Sequence, residues 1–236
     1  MVLKTYSLKP DFTEDLSQGA FPSSFRTWEG NQLELPSTGT HFGYVHRGHP
    51  CLSRYDGTEA YTLHSGMYFC LPGEGSLDGR SSSGLVITLA NHQGMFSIGG
   101  PIEPSGRFAY INGGTNSLLI PPVRLGAPCL NALYVPPGVD QTLHTHPSYR
   151  LGIVIEGSGE CETKEGSFTF KPGIVFLIPA SVLHKFQTFE EKLTLVMFHP
   201  DSDTGFTHQN NPMLNRTLIE GLSAAHLPQI QTKYAD

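Results

Sequence analysis

Three histidines stand at spacings that suit a metal ion. His144 and His146 are separated by a single residue, and His184 follows farther along the chain. Alternate residues of an extended strand point to the same face, so an HxH pair on a strand brings two imidazoles together. Three neutral imidazoles are a ligand set for Fe(II), which we favour, or for Zn, Ni, Mn or Cu, and they leave open positions for a substrate or O2. The sequence therefore predicts a divalent metal site on His144, His146 and His184.

The residues around these histidines resemble the two signature motifs of the cupin superfamily, G-x5-HxH-x3/4-E-x6-G and G-x5-PxG-x2-H-x3-N. The matching positions lie between residues 138 and 188, and they are Gly138, His144, His146, Gly157, Gly173, Pro179 and His184. An HxH pair alone is more often structural, but agreement with both motifs favours the metal site. The resemblance implies a barrel made of two β-sheets. It implies little about the reaction, because one fold hosts many activities.

The sequence departs from the family pattern at its glutamate, where Arg150 stands. A guanidinium has no lone pair for a metal, so the resemblance implies a site of three histidines without a carboxylate. Two milder departures are Ser181 in place of a glycine and Thr188 in place of an asparagine.

Arg150 is the first candidate for a catalytic and substrate-binding residue. The cupin layout implies that its position faces the barrel interior, where a buried guanidinium needs an anionic partner. A substrate carboxylate gripped by two hydrogen bonds is one candidate. The alternatives are an internal salt bridge, for instance with Asp140 or Glu156, or a side chain turned outward. Some gentisate-type dioxygenases carry a similar arginine, with the register shifted by two residues.

Weaker candidates flank the motifs. Tyr149 is a second catalytic candidate as a weak base, and together with Gln141 it is placed at the pocket entrance. Phe186 follows His184 by two residues, so it is expected on the same strand face as an apolar wall of the substrate site. Packing is the alternative role for each of these residues, and also for Asn131. We place His199 in a loop after the last strand.

Short apolar runs bounded by Gly, Pro, Asn and Asp predict an all-β fold. The chain has 26 glycines, 18 prolines and only 15% charged residues, a composition that favours many short strands. The clearest runs are 84–89, 117–121, 151–155 and 193–198. One helix is expected near the C-terminus, around residues 215–225, where Leu218, Ile219 and Leu222 fall at helical spacing.

An internal repeat divides the chain into two copies of one β-domain. Residues 41–48 align with 150–157, residues 65–72 align with 172–179, and Gly57 aligns with Gly166. We therefore expect tandem cupin domains, with an N-terminal arm over residues 1–30, a degenerate copy over 31–103, a metal-binding copy over 104–200, and a tail with a short helix over 201–236.

The first copy carries no counterpart of the three ligands. The repeat offsets place Leu35, Ser37 and Leu77 at their positions. The first copy is then a structural partner that covers sheet edges or forms a dimer surface. A second metal on His41, His46 and His49 is a minor alternative.

Several partner classes find no support. The net charge of −6 gives no basic footprint for nucleic acid, and no apolar run spans a bilayer or resembles a signal peptide. Four scattered cysteines without a CxxC pair indicate free thiols, so we expect a cytoplasmic protein. A homodimer is one possible oligomeric state.

Three functions remain open. The first is a three-histidine Fe(II) dioxygenase acting on a small anionic metabolite with O2. The second is a non-redox lyase or isomerase that uses Zn, Ni or Mn as a Lewis acid. The third is a binding or sensor protein without turnover.

Overall fold

A computed structural model of the chain describes residues 2–55 and 57–233. It confirms the all-β class and contains two units, each made of one larger and one smaller antiparallel sheet. The first eleven strands are β1 (Lys4–Ser7), β2 (Phe12–Asp15), β3 (Ser23–Glu29), β4 (Gln32–Leu35), β5 (Thr40–Arg47), β6 (Cys51–Arg54), β7 (Glu59–Thr62), β8 (Tyr68–Pro72), β9 (Gly75–Asp78), β10 (Ser83–Leu89) and β11 (Ser97–Gly99). The others are β12 (Phe108–Ala109), β13 (Thr115–Ile120), β14 (Cys129–Val135), β15 (Arg150–Gly157), β16 (Gly159–Thr163), β17 (Gly166–Phe170), β18 (Ile174–Ile178), β19 (His184–Gln187), β20 (Leu193–His199), β21 (Leu218–Ile219) and β22 (Leu222–Ser223).

The two units repeat one strand order. The larger sheet of the first unit runs β11-β8-β5-β10-β3-β2, and that of the second unit runs β1-β18-β15-β20-β14-β13-β12. The smaller sheets are β4-β9-β6-β7 and β17-β16-β19. The shared order of β8-β5-β10-β3 and β18-β15-β20-β14 agrees with the repeat read from the sequence.

Strand alternation divides the apolar side chains between two kinds of core. On β15, Leu151 and Ile153 face a cluster that includes Phe42 and Ile87 of the first unit. Val154 of the same strand faces the interior of the second unit. The two larger sheets therefore pack face to face, and each unit keeps a separate barrel interior.

The expectation of an N-terminal arm over residues 1–30 needs correction. β2 and β3 are integral strands of the first unit's larger sheet, and Phe25 and Trp28 of β3 are completely buried. β1 does behave as an arm, because it pairs with β18 of the second unit. Apolar residues in this stretch are too scattered for a period to be visible, so its strands were missed.

The helix expected around residues 215–225 is also wrong. The α-helix α1 covers only Met213–Arg216, and Leu218, Ile219 and Leu222 lie in the β21–β22 hairpin, where all three are exposed. Helical spacing over so short a window does not distinguish a helix from a hairpin. A 3₁₀ turn follows at Ala224–His226.

The four cysteines are free, and three of them are buried. The two helices that the structure describes have four and three residues, so neither is able to cross a membrane.

Candidate metal centre and the cavity beside it

The HxH pair lies on an extended segment that is not a regular strand, which corrects the expectation from the sequence. His144 and His184 exchange two backbone hydrogen bonds of 2.9 and 3.0 Å, whereas the next contact toward the N-terminus joins Gln141 to Phe186. Between these contacts one segment advances three residues and the other two. The extra residue interrupts the ladder, as in a β-bulge, and it leaves only isolated bridges.

The three histidines nevertheless converge as predicted. Their ligand atoms all lie within 4.8 Å of one another. The ring centroids are 5.1 Å apart for His144 and His146, 4.6 Å for His144 and His184, and 5.3 Å for His146 and His184. This is the convergence that a single divalent ion requires of three imidazoles.

Backbone carbonyls set the orientation of two of the rings. The Nδ1–H of His144 donates to Thr142 O at 2.8 Å, and the Nδ1–H of His184 donates to Val182 O at 2.9 Å. These bonds leave Nε2 of each ring unprotonated and free to bind a metal. The carbonyl of His146 accepts from the backbone N–H of Ser181, which has a positive φ of 61°. That conformation explains why the family pattern has glycine at this position.

The surroundings of His146 and His184 favour the neutral form of both rings by lowering their pKa values. Burial and the nearby positive charge of Arg150 lower the pKa of His146 to about 3. Burial is also the main cause that lowers the pKa of His184 to about 4. Metals bind the neutral imidazole, so the chemistry of the donor set fits a divalent cation.

The first unit has no equivalent group. Leu35 and Leu77 are buried in an apolar cluster, and the triad above is the one potential metal group found among residues 2–55 and 57–233. The minor alternative of a second metal is not supported. The ring nitrogens of His41 contact Thr88 Oγ1 and Pro36 O, and Nδ1 of His49 lies 2.7 Å from Nδ1 of His64.

A cavity of about 250 Å³, here called the inner chamber, opens beside the triad. It is lined by the three histidines, by Phe186 of the smaller sheet, and by Tyr110, Asn116, Asn131, Leu133, Arg150, Met197 and His199. No Asp or Glu belongs to this lining, within the residues that the structure describes. The described part of the chain therefore offers the metal three histidines and no carboxylate.

A second cavity of about 420 Å³, here called the outer chamber, adjoins the first. Four residues line both chambers, and we call them the neck: Asn116, Asn131, Arg150 and His199. The outer chamber is further lined by Phe108, Leu118, Cys129, Pro147 and residues 201–204. These four side chains form the boundary that the two chambers share.

Arg150 faces the interior and is only 7% exposed, so the alternative of an outward side chain is wrong. The internal salt bridges suggested from the sequence are absent as well. Asp140 pairs with Lys185 at 2.7 Å and Glu156 pairs with Lys192 at 2.9 Å. Within the described residues, no carboxylate oxygen lies within 4.0 Å of the guanidinium nitrogens.

The guanidinium is held by the two residues that precede it in the chain. Nη1 of Arg150 donates to Ser148 Oγ at 2.7 Å, to Ser148 O at 3.2 Å and to Tyr149 O at 3.1 Å. Ser148 in turn donates to Asp201. Nε of Arg150 is buried without a partner. Burial lowers the pKa of Arg150 although Asp201 opposes the shift, so the site favours an added anion.

Gln141 does not reach the cavity, contrary to the sequence prediction. It is 2% exposed, and its Oε1 accepts from the backbone N–H of Phe186 at 3.2 Å. The side chain therefore ties the HxH segment to β19 and has a structural role. Its packing alternative fits the structure better than a role at the pocket entrance.

Tyr149 also points away from the triad. Its hydroxyl is 2.8 Å from Ser23 Oγ, and its ring packs near Phe198 between the two larger sheets. Burial raises the pKa of Tyr149 to about 12. Neighbouring strand residues face opposite sides, so Arg150 and Tyr149 could not both have faced the cavity.

Phe186 does line the inner chamber, with its ring centroid 5.9 Å from that of His184. The sequence missed His199, which ends β20 rather than lying in a loop. It alternates with the interior residues Leu195 and Met197, and this period of two was the signal that would have found it. Asn131, considered a packing residue, belongs to the neck.

His199 stands in a neutral state beside the arginine. Burial and the charge of Arg150 lower the pKa of His199 well below its ordinary range. Its ring nitrogens lie 3.3 Å from Nδ2 of Asn131. The site thus holds an uncharged imidazole outside the metal ligands, with access to both chambers.

Comparison with protein families identifies a cupin domain over residues 133–199. No curated protein matches the chain. The fold is similar to a cupin 2 conserved barrel domain protein from Leptotrichia buccalis, with 14% identity, a TM-score of 0.56, and coverage of 84% of this chain and 88% of the other.

Two further solved structures have the same architecture. One is a salicylate 1,2-dioxygenase mutant from Pseudoaminobacter salicylatoxidans in complex with gentisate, with 11% identity, a TM-score of 0.59, and coverage of 84% and 82%. The other is a putative glyoxylate-induced protein from Pseudomonas aeruginosa, with 12% identity, a TM-score of 0.58, and coverage of 87% and 82%. At such identities the likeness concerns the fold alone.

Proposed function

We propose that this chain, whose residues 133–199 match a cupin domain, is a metal-dependent enzyme, a non-haem Fe(II) dioxygenase that acts on a small carboxylate. Its metal would be held by His144, His146 and His184. The observation that carries the proposal is the placement of Arg150, buried and without a carboxylate partner, in the same chamber as three converging imidazoles. Such a guanidinium fits an anionic substrate beside the metal.

A ferrous ion held by three histidines supplies open positions where a substrate and O2 meet. The side chains around the triad would bind the substrate and exclude water. Arg150 binds the carboxylate and fixes its direction relative to the triad. Phe186, Leu133 and Met197 form apolar walls of the inner chamber and keep water from the reacting atoms.

A non-redox lyase or isomerase with Zn, Ni or Mn is the second candidate, and His199 is the observation that favours it. Lewis-acid chemistry on a carbonyl compound needs a base to move a proton. The ring of His199 lines the inner chamber and is neutral. It would accept the proton, while Arg150 binds the substrate anion as in the first proposal.

The test begins with the metal. Elemental analysis of protein purified without added metal should find close to one divalent ion per chain, and His146→Ala should lose it because a ligand is removed. His226→Ala is the matched control, since His226 lies exposed in the 3₁₀ turn far from the triad in sequence. Unchanged metal content in the His146 variant would contradict the site.

The reaction class follows from oxygen uptake. Iron-loaded protein is presented with small carboxylates, catechols and thiols in an oxygen electrode. Uptake with a carboxylate, weakened in Arg150→Gln through a raised KM, supports the dioxygenase. If the iron-loaded protein consumed no oxygen with any of these compounds, the dioxygenase proposal would be wrong. Turnover of such compounds by Zn- or Mn-loaded protein would then support the second candidate, and binding without turnover would indicate a sensor.

A further inference from the structure

The neck between the two chambers carries two unpaired polar atoms of opposite character. Oδ1 of Asn131 and Nε of Arg150 are buried and have no hydrogen-bond partner. Both residues are more than nine-tenths buried, with exposures of 6% and 7%. A buried polar atom without a partner is costly, so a ligand group at each of these atoms would stabilise the protein.

The strand order places these two residues on either side of β20, the strand that ends at His199. β20 lies between β14, which carries Asn131, and β15, which carries Arg150. Neighbouring strands are spaced by about 4.8 Å, so the two backbones are roughly 10 Å apart and their side chains reach toward a common ligand. One molecule of a few carbons is long enough to contact both.

The outer chamber adds two carboxylates to the hydrogen-bond acceptors of the neck. Asp201 and Asp203 line it, and Arg150 in the neck is its one cationic lining residue among those described. Nδ2 of Asn131 lies 3.7 Å from Cys129 Sγ and 3.3 Å from the ring of His199. Oδ1 is therefore the amide atom that has no hydrogen-bond partner. Two carboxylates and an amide oxygen together favour a group that donates hydrogen bonds.

We propose that the neck and the outer chamber form a second recognition subsite, in which Asn131, with Asp201 and Asp203, binds a hydroxyl or amino group of a substrate whose carboxylate is held by Arg150. This inference rests on the proposed function for the carboxylate anchor, and it narrows the substrate to a carboxylate with a donor group several atoms away. A plain fatty acid of the same size leaves Asn131 Oδ1 unpaired and binds less well.

The experiment measures binding by calorimetry to Zn-loaded protein, which prevents oxidation of the ligands. The probes are 3-hydroxypropanoate, 4-hydroxybutanoate and 5-hydroxypentanoate, each compared with the fatty acid in which a methyl group replaces the hydroxyl. The corresponding ω-amino acids form a third arm, and they distinguish a cationic donor from a neutral one. Because each pair has nearly the same size, the comparison isolates the terminal donor.

At one chain length or more, the hydroxyl or amino compound should bind at least about tenfold more tightly than its methyl counterpart, the effect of one satisfied buried hydrogen bond. In Asn131→Leu the ratio should fall close to one while affinity for the fatty acid is kept. Asn131→Asp retains the acceptor oxygen and should retain the preference, which also guards against a folding defect in the leucine variant.

Equal affinity within every pair, or a preference that survives Asn131→Leu in a folded protein, overturns the subsite and leaves the Arg150 anchor intact. A failure of the anchor looks different. In that case no carboxylate binds, or Arg150→Gln binds all of them as tightly as the wild type does, and both the anchor and the subsite are overturned.

Discussion

Arg150 changes the sign of the charge at the position where the cupin pattern has an acidic ligand. Its guanidinium lines the inner chamber with the triad, and its charge contributes to the low pKa of His146. A cation in this place opposes the binding of a divalent metal through Coulomb repulsion, and it attracts an anionic ligand. Under the proposed function, Arg150 would lower the affinity for the metal and raise the affinity for an anionic substrate.

Arg150→Glu should reverse these effects. A carboxylate would restore the family pattern and remove the positive charge, so we expect affinity for a divalent metal to rise by about tenfold or more. Competition with a chelator measures the change, and Arg150→Gln should give an intermediate value because it removes only the charge. Metal affinity in the glutamate variant equal to or below that of the wild type would show that residue 150 does not act on the metal.

At the scale of the element, a glycine on β15 allows the neighbouring strands to pack closely. A Cβ atom on Gly152 would lie 2.3 Å from Val196 O and 2.7 Å from the ring of Phe176. The first unit repeats this arrangement, since a Cβ on Gly43 would lie 2.1 Å from the ring of Phe69. In each unit a glycine thus makes room for a phenylalanine ring on the adjacent strand.

Gly152→Ala should accordingly destabilise the protein by about 1–3 kcal/mol, the range for inserting a methyl group into a packed core. Denaturant unfolding gives the value. Gly19→Ala is the control, because the nearest atom to its Cβ would be at 3.5 Å and its φ is not in the left-handed region. A Gly152 variant as stable as the control would mean that the strands separate without cost.

For the whole molecule, a shared core joins the unit that carries the three histidines to the first unit. Phe42 of the first unit and Phe198 of the second have ring centroids 4.9 Å apart, and both are buried in the same cluster. β1 adds a second tie, because it leaves the first unit to pair with β18. The unit without ligands thus covers an apolar sheet face that would otherwise meet water.

The two units should therefore unfold together. Trp28, the single tryptophan, is buried in the first unit and reports on it by fluorescence, whereas metal release reports on the second unit. We expect both signals to change at one denaturant concentration, and Phe42→Ala to shift both by about 3–5 kcal/mol of unfolding free energy. Two separated transitions, or a shift in the fluorescence signal alone, would contradict this coupling.

The sequence by itself determined the all-β class, the repeat and the three histidines that could hold a metal. The strands and the histidine pair show in the spacing of neighbouring residues, because side chains alternate along a strand with a period of two. The repeat shows when two segments of the sequence are aligned with each other. The same period could have found His199, which was misplaced because its strand was expected to end earlier. The same period could not predict the structural role of Gln141. The bulge in the HxH segment shifts the strand register, and no residue type in the sequence indicates that bulge.

Only the tertiary structure decided what surrounds the triad. Arg150 was recognised from the sequence as the informative residue, but its lack of an ion-pair partner depends on Lys185 and Lys192 binding the carboxylates that were candidates. The neck joins Asn131, Arg150 and His199 from three strands that are distant in the chain. Their meeting is set by strand order and register, which are collective properties of the packed sheets and not of any local pattern.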